Sequence, residues 1–209
     1  MVALGDSITR GRGGAPALGV HPQSWAQWVA EALGLPFSNL AVDGAQAGDV
    51  VRGQLPRLAG PYDLATLYVG ANDARGVAFD GVAFARDVEE IAAALRPQAT
   101  RVLVLTVPLD LGRPRAGADV VAANAALRAL GEDVCALDDF GGARWLLPDA
   151  VHPTSPGMVE IANRALAALG EDARVDGDER RDRPARARYA LWYARLQLRD
   201  RRRRLQERT

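Results

Sequence analysis

Through the first 170 residues of the chain, short apolar runs alternate with longer amphipathic ones. That rhythm belongs to βαβ units, in which crossover helices join the strands of a parallel sheet. Candidate strands are Val2–Leu4, Phe37–Ala41, Leu64–Val69, Arg101–Val107 and Val134–Leu137. Residues 102–105 are apolar without alternation, as in a strand covered on both faces. Helices are predicted between them. Ser24–Leu33 has a serine cap and Gly34 to end it, whereas Asp49–Leu58 is interrupted by Gly53 and Pro56. Gly81–Leu95 sets Phe84, Val88, Ile91 and Leu95 on one helical face. Asp119–Leu130 ends at Gly131, and the last helix starts at a Ser155 cap with Pro156 in its first turn. Five strands with interleaved helices predict an α/β fold, a three-layer α/β/α sandwich.

Open sheets of this kind bind ligands beyond the carboxyl ends of their strands. Reactive side chains should therefore follow strands directly, and here they do. Gly5-Asp6-Ser7 follows the first strand, Asp43-Gly44 the second and Gly70-Ala71-Asn72-Asp73 the third, while Asp149 and His152 precede the last helix. Acyl transfer needs a nucleophile, a base, a group to orient the base and donors for an oxyanion. The chain has only four serines and two histidines. Ser24 and Ser155 read as helix caps and Ser38 as a strand residue. Ser7 alone stands at a strand-to-loop junction just behind a glycine. Asp149 lies three residues before His152, close enough to fold back and hold the imidazole in one tautomer. Taken singly, a Gly-Asp-Ser is usually a turn and an Asp-x-x-His a surface pair; together, each after the right element, they are far more specific.

With these residues in place the chain resembles the SGNH hydrolases, also called GDSL esterases and lipases. Four blocks carry the resemblance over about residues 1–170: Gly5-Asp6-Ser7, Asn39 to Gly44, Gly70-Ala71-Asn72-Asp73, and Asp149 to Pro153. The resemblance implies a flavodoxin-like, five-stranded parallel sheet and a serine esterase mechanism. Ser7 would be the nucleophile, His152 the base and Asp149 its partner, with an oxyanion hole formed by the Ser7 and Gly44 N–H groups and the Asn72 amide. No cofactor or metal is implied, and the substrate would be a small-molecule carboxylic ester of a small or medium acyl group. Asp43 departs from the small neutral residue expected there. It either disfavours anionic substrates or points to solvent.

Other residues read more blandly. His21 either lines the pocket or is a solvated loop residue. Arg10 and Arg12 either meet an acidic substrate group or are surface charges. Trp25 and Trp28 are expected to pack against the sheet, Asp73 to cap a helix or loop, and Cys135 to be a small core residue. Regions 10–24 and 108–118 should wall the pocket. They are short and rich in Gly and Pro, which argues against a triglyceride lipase.

All 26 basic residues are arginine, so a lysine-dependent phosphate loop is excluded. Residues 1–170 hold 13 arginines against 18 acids, and residues 171–209 hold 13 against 8, so the halves carry −5 and +5. A charged linker is predicted to lead into an Arg-rich amphipathic C-terminal helix, with Leu191, Ala194, Leu198 and Leu205 near one face. That tail docks on the acidic core or forms a homodimer contact, is a solvated end, or touches an external acidic partner. Nucleic acid is not the expected partner. The last reading carries the rival function, a non-catalytic adaptor that binds an acidic partner through its tail. No signal peptide or membrane-spanning run is visible, and a cytoplasmic location is expected.

Overall fold

A computed structural model describes residues 1–12, 23–112, 116–142 and 144–176. Among these, five strands form one all-parallel sheet: β1 (Val2–Gly5), β2 (Ser38–Asn39), β3 (Tyr62–Tyr68), β4 (Ala99–Leu105) and β5 (Asp133–Cys135). They lie in the order β2-β1-β3-β4-β5, the flavodoxin-like arrangement. The central register pairs Val2 with Ala65 and Gly5 with Tyr68, and then Tyr68 with Leu105. The carboxyl ends of β1, β3 and β4 are therefore level, and the chain reverses its direction of travel across the sheet between β1 and β3.

Seven helices accompany the sheet among the described residues: α1 (Ser7–Arg10), α2 (Trp25–Ala32), α3 (Ala47–Gly53), α4 (Ala71–Ala74), α5 (Gly81–Leu95), α6 (Ala118–Ala129) and α7 (Ser155–Ala168). α2 packs with α7, while α3, α5 and α6 pack as a second group. Both faces of the sheet are thus covered, and Leu67, Leu103, Val104 and Leu105 have no exposed surface. Uninterrupted apolar runs such as residues 102–105 follow from that, because a strand with helices on both faces has no solvent side. Trp25 is buried and Trp28 is half-buried against the same core, and Cys135 is a buried free thiol.

Several boundaries differ from expectation for local reasons. The ladder of β2 covers only two residues because Asn39 turns its side chain back onto the Ala41 N–H at 3.1 Å. Leu40 and Val42 nonetheless still donate to Ala3 and Gly5 of β1. α3 begins two residues early, where Asp49 accepts the Gln46 N–H. It gives way to a 3-10 turn over Leu55–Arg57, since Pro56 cannot continue an α-helix. The cap of α7 is Thr154 and not Ser155; Thr154 Oγ1 accepts the Gly157 N–H at 3.1 Å. α1 and α4, four residues each, are too short to show a period in sequence.

Packing continues past residue 170. Val175 is buried, and both its N–H and C=O are held by the Asn163 side chain at 2.8 and 3.1 Å. The predicted C-terminal helix and His21 lie outside the described residues. Among those described, no helix is long and apolar enough to cross a membrane.

Candidate active site

β1 ends on a glycine that nothing else can replace. Gly5 has φ +144°, and a Cβ there would run into the Tyr68 carbonyl and the Thr9 hydroxyl. The chain then turns directly into α1. Asp6 caps that helix, its Oδ1 accepting the Ile8 N–H at 2.9 Å, and Ser7 becomes the first helical residue. The Ser7 hydroxyl is thereby held at the carboxyl end of the sheet. It lies 3.0 Å from Nε2 of His152, which is 145 residues away in sequence.

His152 Nδ1 lies 2.8 Å from Asp149 Oδ2. The other carboxylate oxygen, Oδ1, accepts the N–H groups of Val151 and His152 at 2.9 and 3.0 Å. Such tight wrapping puts Ala150 at φ +53°, a left-handed conformation that a non-glycine residue adopts only when its surroundings enforce it. Here they do: the Ala150 carbonyl accepts the Gly112 N–H, its N–H donates to Leu147, and Leu147 N–H donates to the His152 carbonyl. Burial pushes the Asp149 carboxyl up, but the hydrogen bond to His152 and the two backbone donors outweigh it and hold it below its ordinary value. A hydroxyl, an imidazole and an ionised carboxylate therefore stand in one hydrogen-bonded line.

The remaining sequence-predicted residues converge beside it. Gly44 occupies the third position of a β-turn closed by Ala45 N–H to Val42 C=O at 3.2 Å; its φ of +76° suits glycine. Asn72, on α4, donates its amide Nδ2 to the Ala45 carbonyl at 3.1 Å and reaches Asp6 Oδ2 at 3.5 Å. Loops after β1, β2 and β3 are thus linked directly to one another.

Asp43 is neither a free solvent carboxylate nor a bare charge at the pocket. Arg12 Nε donates to its Oδ2 at 2.7 Å and Arg10 Nε stands 3.8 Å from Oδ1. Arg10 and Arg12 are accordingly paired, and they tie the segment after Ser7 to the turn that holds Gly44.

Three polar residues stand close to the site without having been singled out for it by sequence. Asp6 is buried, and burial pushes its carboxyl up to about 7 against the opposing pull of the Ile8 N–H. Gln54, buried after α3, bonds both the N–H and the C=O of Gly5. Asp73, expected to cap a helix or loop, caps α3: its Oδ1 accepts the Ala47 N–H at 3.0 Å.

Residues 3–159 match the model of the GDSL-like Lipase/Acylhydrolase family. The chain belongs to that family. It is a serine ester hydrolase. No curated protein sequence matches the chain at a significant level. Solved structures share its fold. An acetylxylan esterase from Geobacillus stearothermophilus superposes with a TM-score of 0.64 at 14% identity, covering 84% of this chain and 95% of its own. An alpha/beta hydrolase enzyme from the metagenome of Lake Arreo, Spain, gives 0.63 at 21% identity, covering 81% and 94%. An extracellular lipase from Streptomyces rimosus gives 0.53 at 23%, covering 81% and 97%.

Proposed function

We propose that this enzyme hydrolyses carboxylic esters of small or medium acyl groups through an acyl-enzyme on Ser7. One observation carries the reading: the unbroken line from Ser7 Oγ through His152 to Asp149, at 3.0 and 2.8 Å. Asp149 accepts the Nδ1 proton, which leaves Nε2 free to take the proton of the Ser7 hydroxyl. The freed oxygen attacks the ester carbonyl carbon, and negative charge gathers on the carbonyl oxygen. The backbone N–H groups of Ser7 and Gly44 stabilise that oxygen, joined by the Asn72 amide as one Nδ2 proton turns to it from the 3.5 Å contact with Asp6. Collapse of the tetrahedral species breaks the bond to the alcohol, which leaves with the proton carried by His152. Water then attacks the acyl-enzyme, giving its proton to His152. The second collapse releases the carboxylic acid and returns the proton to Ser7.

A small acyl group is supported by the acetylxylan esterase among the solved relatives, whose named substrate carries acetyl esters. Hydrolysis of p-nitrophenyl esters of graded chain length tests both halves of the reading. Activity should be highest on short to medium chains and lost in Ser7→Ala. Turnover that survives in Ser7→Ala would exclude the acyl-enzyme, and an optimum on long chains would exclude the acyl size.

A further inference from the structure

α3 supplies none of the residues in the Ser7–His152–Asp149 line, yet each of its ends is tied to the site by a buried or half-buried polar side chain. At its start, Asp73 accepts the Ala47 N–H at 3.0 Å. Asp73 is the neighbour of Asn72, and Ala47 lies three residues beyond Gly44. At its far end, the Gln54 amide closes on Gly5 from both sides: Gly5 N–H donates to Oε1 at 2.9 Å, and Nε2 donates to the Gly5 carbonyl at 2.8 Å. Gly5 precedes Ser7 by two residues. Gln54 stands on a firm base, its own N–H bonded to Val50 at 2.9 Å. The Gly5 carbonyl that accepts this amide also accepts the Val42 N–H at 3.1 Å, so Gln54 and the segment after β2 close on the same strand end.

Asp73 is an expensive side chain for a protein to keep. Asp73 Oδ2 is buried with no hydrogen-bond partner among the described residues, and burial raises its carboxyl above the ordinary range. A buried carboxylate satisfied on one side only destabilises the fold. Gln54 is satisfied at both amide atoms, and an apolar side chain in its place would leave the buried Gly5 N–H without its acceptor, so its loss costs stability as well. What the two share is geometry. One joins α3 to the Asn72 helix, the other joins α3 to the strand that presents Ser7, and the loop entering α3 carries Gly44.

We propose that Gln54 and Asp73 are positioning residues of the oxyanion hole, setting through opposite ends of α3 the spacing of Ser7, Gly44 and Asn72. This rests on the reading of those three residues as oxyanion donors. Preorganised donors stabilise a transition state only when held at hydrogen-bond distance from where charge develops, and small displacements are costly. Loss of either tie should therefore lower kcat and leave KM nearly unchanged, because the ground-state ester gains little from the hole.

The experiment compares Gln54→Met, Asp73→Ala, Asp73→Asn and Asn72→Ala, with kcat and KM on p-nitrophenyl acetate, affinity for a boronic acid that forms a tetrahedral serine adduct, and thermal melting. Gln54→Met and Asp73→Ala should each lose about tenfold to a hundredfold in kcat, with KM within about twofold and boronic acid affinity falling in step. Asp73→Asn should restore most of the activity, since an asparagine oxygen can still accept the Ala47 N–H. Asn72→Ala should lose about a hundredfold or more. If Asn72→Ala keeps full kcat, the oxyanion assignment itself falls. If Asn72→Ala loses activity while folded Gln54→Met and Asp73→Ala keep wild-type kcat, only the positioning role falls, even where melting temperatures drop. Should Gln54→Met fail to fold, Asp73→Ala against Asp73→Asn decides: equal kcat in the two overturns the proposal.

Discussion

Two carboxylates near the Ser7–His152 pair behave in opposite ways. Asp149 has three hydrogen-bond donors and is held ionised, whereas Asp6 is buried, and the backbone N–H groups of Ile8 and Thr9 and a distant amide do not offset that burial. The pKa of Asp6, about 7, lies above its unfolded value of 3.8, so the folded protein retains a proton that the unfolded chain has lost. The associated stability is complete below about pH 4 and is lost as pH rises through 7. The interval corresponds to on the order of 4 kcal/mol. Asp6→Asn can still cap α1 and should remove this dependence. Urea unfolding at pH 5 and pH 8 should show the wild type losing about 2–3 kcal/mol relative to the variant, and parallel pH profiles would refute it. For Asp149, the amide in Asp149→Asn can donate to Nδ1 and so place the imidazole proton on Nε2, where it blocks proton removal from Ser7. A fall in kcat on the order of 10³ to 10⁴ is expected on p-nitrophenyl acetate. A fall of less than tenfold would show that His152 needs no orienting partner.

At the scale of elements, the start of α7 is where stability and the site meet. Thr154 accepts the Gly157 N–H, and its hydroxyl donates to the Arg144 carbonyl at 2.9 Å. Its N–H donates to the Trp145 carbonyl at 2.8 Å, so that carbonyl is pinned. A Cβ on Gly157 would collide with the same carbonyl and press on Pro153. Thr154→Ala should cost about 1–2 kcal/mol through loss of the cap. Gly157→Ala should cost about 1–3 kcal/mol by overpacking and also lower kcat, because the strain reaches His152 through Pro153. Thermal melting and esterase assays separate the two, and a Gly157→Ala variant as active and stable as the wild type would remove the link. The Arg12–Asp43 pair is exposed, so its contribution to stability is small and screened by salt.

At the scale of the whole molecule, the strand order places the site. β1 and β3 are neighbours whose connections leave in opposite directions across the sheet, and the crevice between their carboxyl ends receives Ser7 from one and Asn72 from the other. Among the described residues the hydrophobic core extends to Val175. A chain ending at Asp176 is therefore expected to fold, melt within a few degrees of the full protein and keep its esterase activity. Unfolding or inactivity of that shortened chain would show that the core is incomplete without the residues that follow.

Legible in the sequence are the layered α/β pattern, the position of α5 and the residue types proposed for the site. Strands and helices announce themselves through the spacing of apolar residues, and the types appear because the chemistry demands a hydroxyl and an amide just beyond strand ends and an imidazole and a carboxylate ahead of the last helix. The name-giving blocks around Ser7, Gly44, Asn72 and His152 are short and contiguous for the same reason. How they are held depends on contacts between segments far apart in the chain. Gln54 meets Gly5 across 49 residues, Asp73 meets Ala47 across 26 and Asn72 reaches Asp6 across 66. No local pattern encodes such pairings, because each depends on where the sheet brings two loops together. The left-handed Ala150 is equally invisible, since its backbone is forced by hydrogen bonds around Asp149 and not by any preference of alanine. Periodicity reports which face of an element is buried; it carries no record of which polar group waits on the other side.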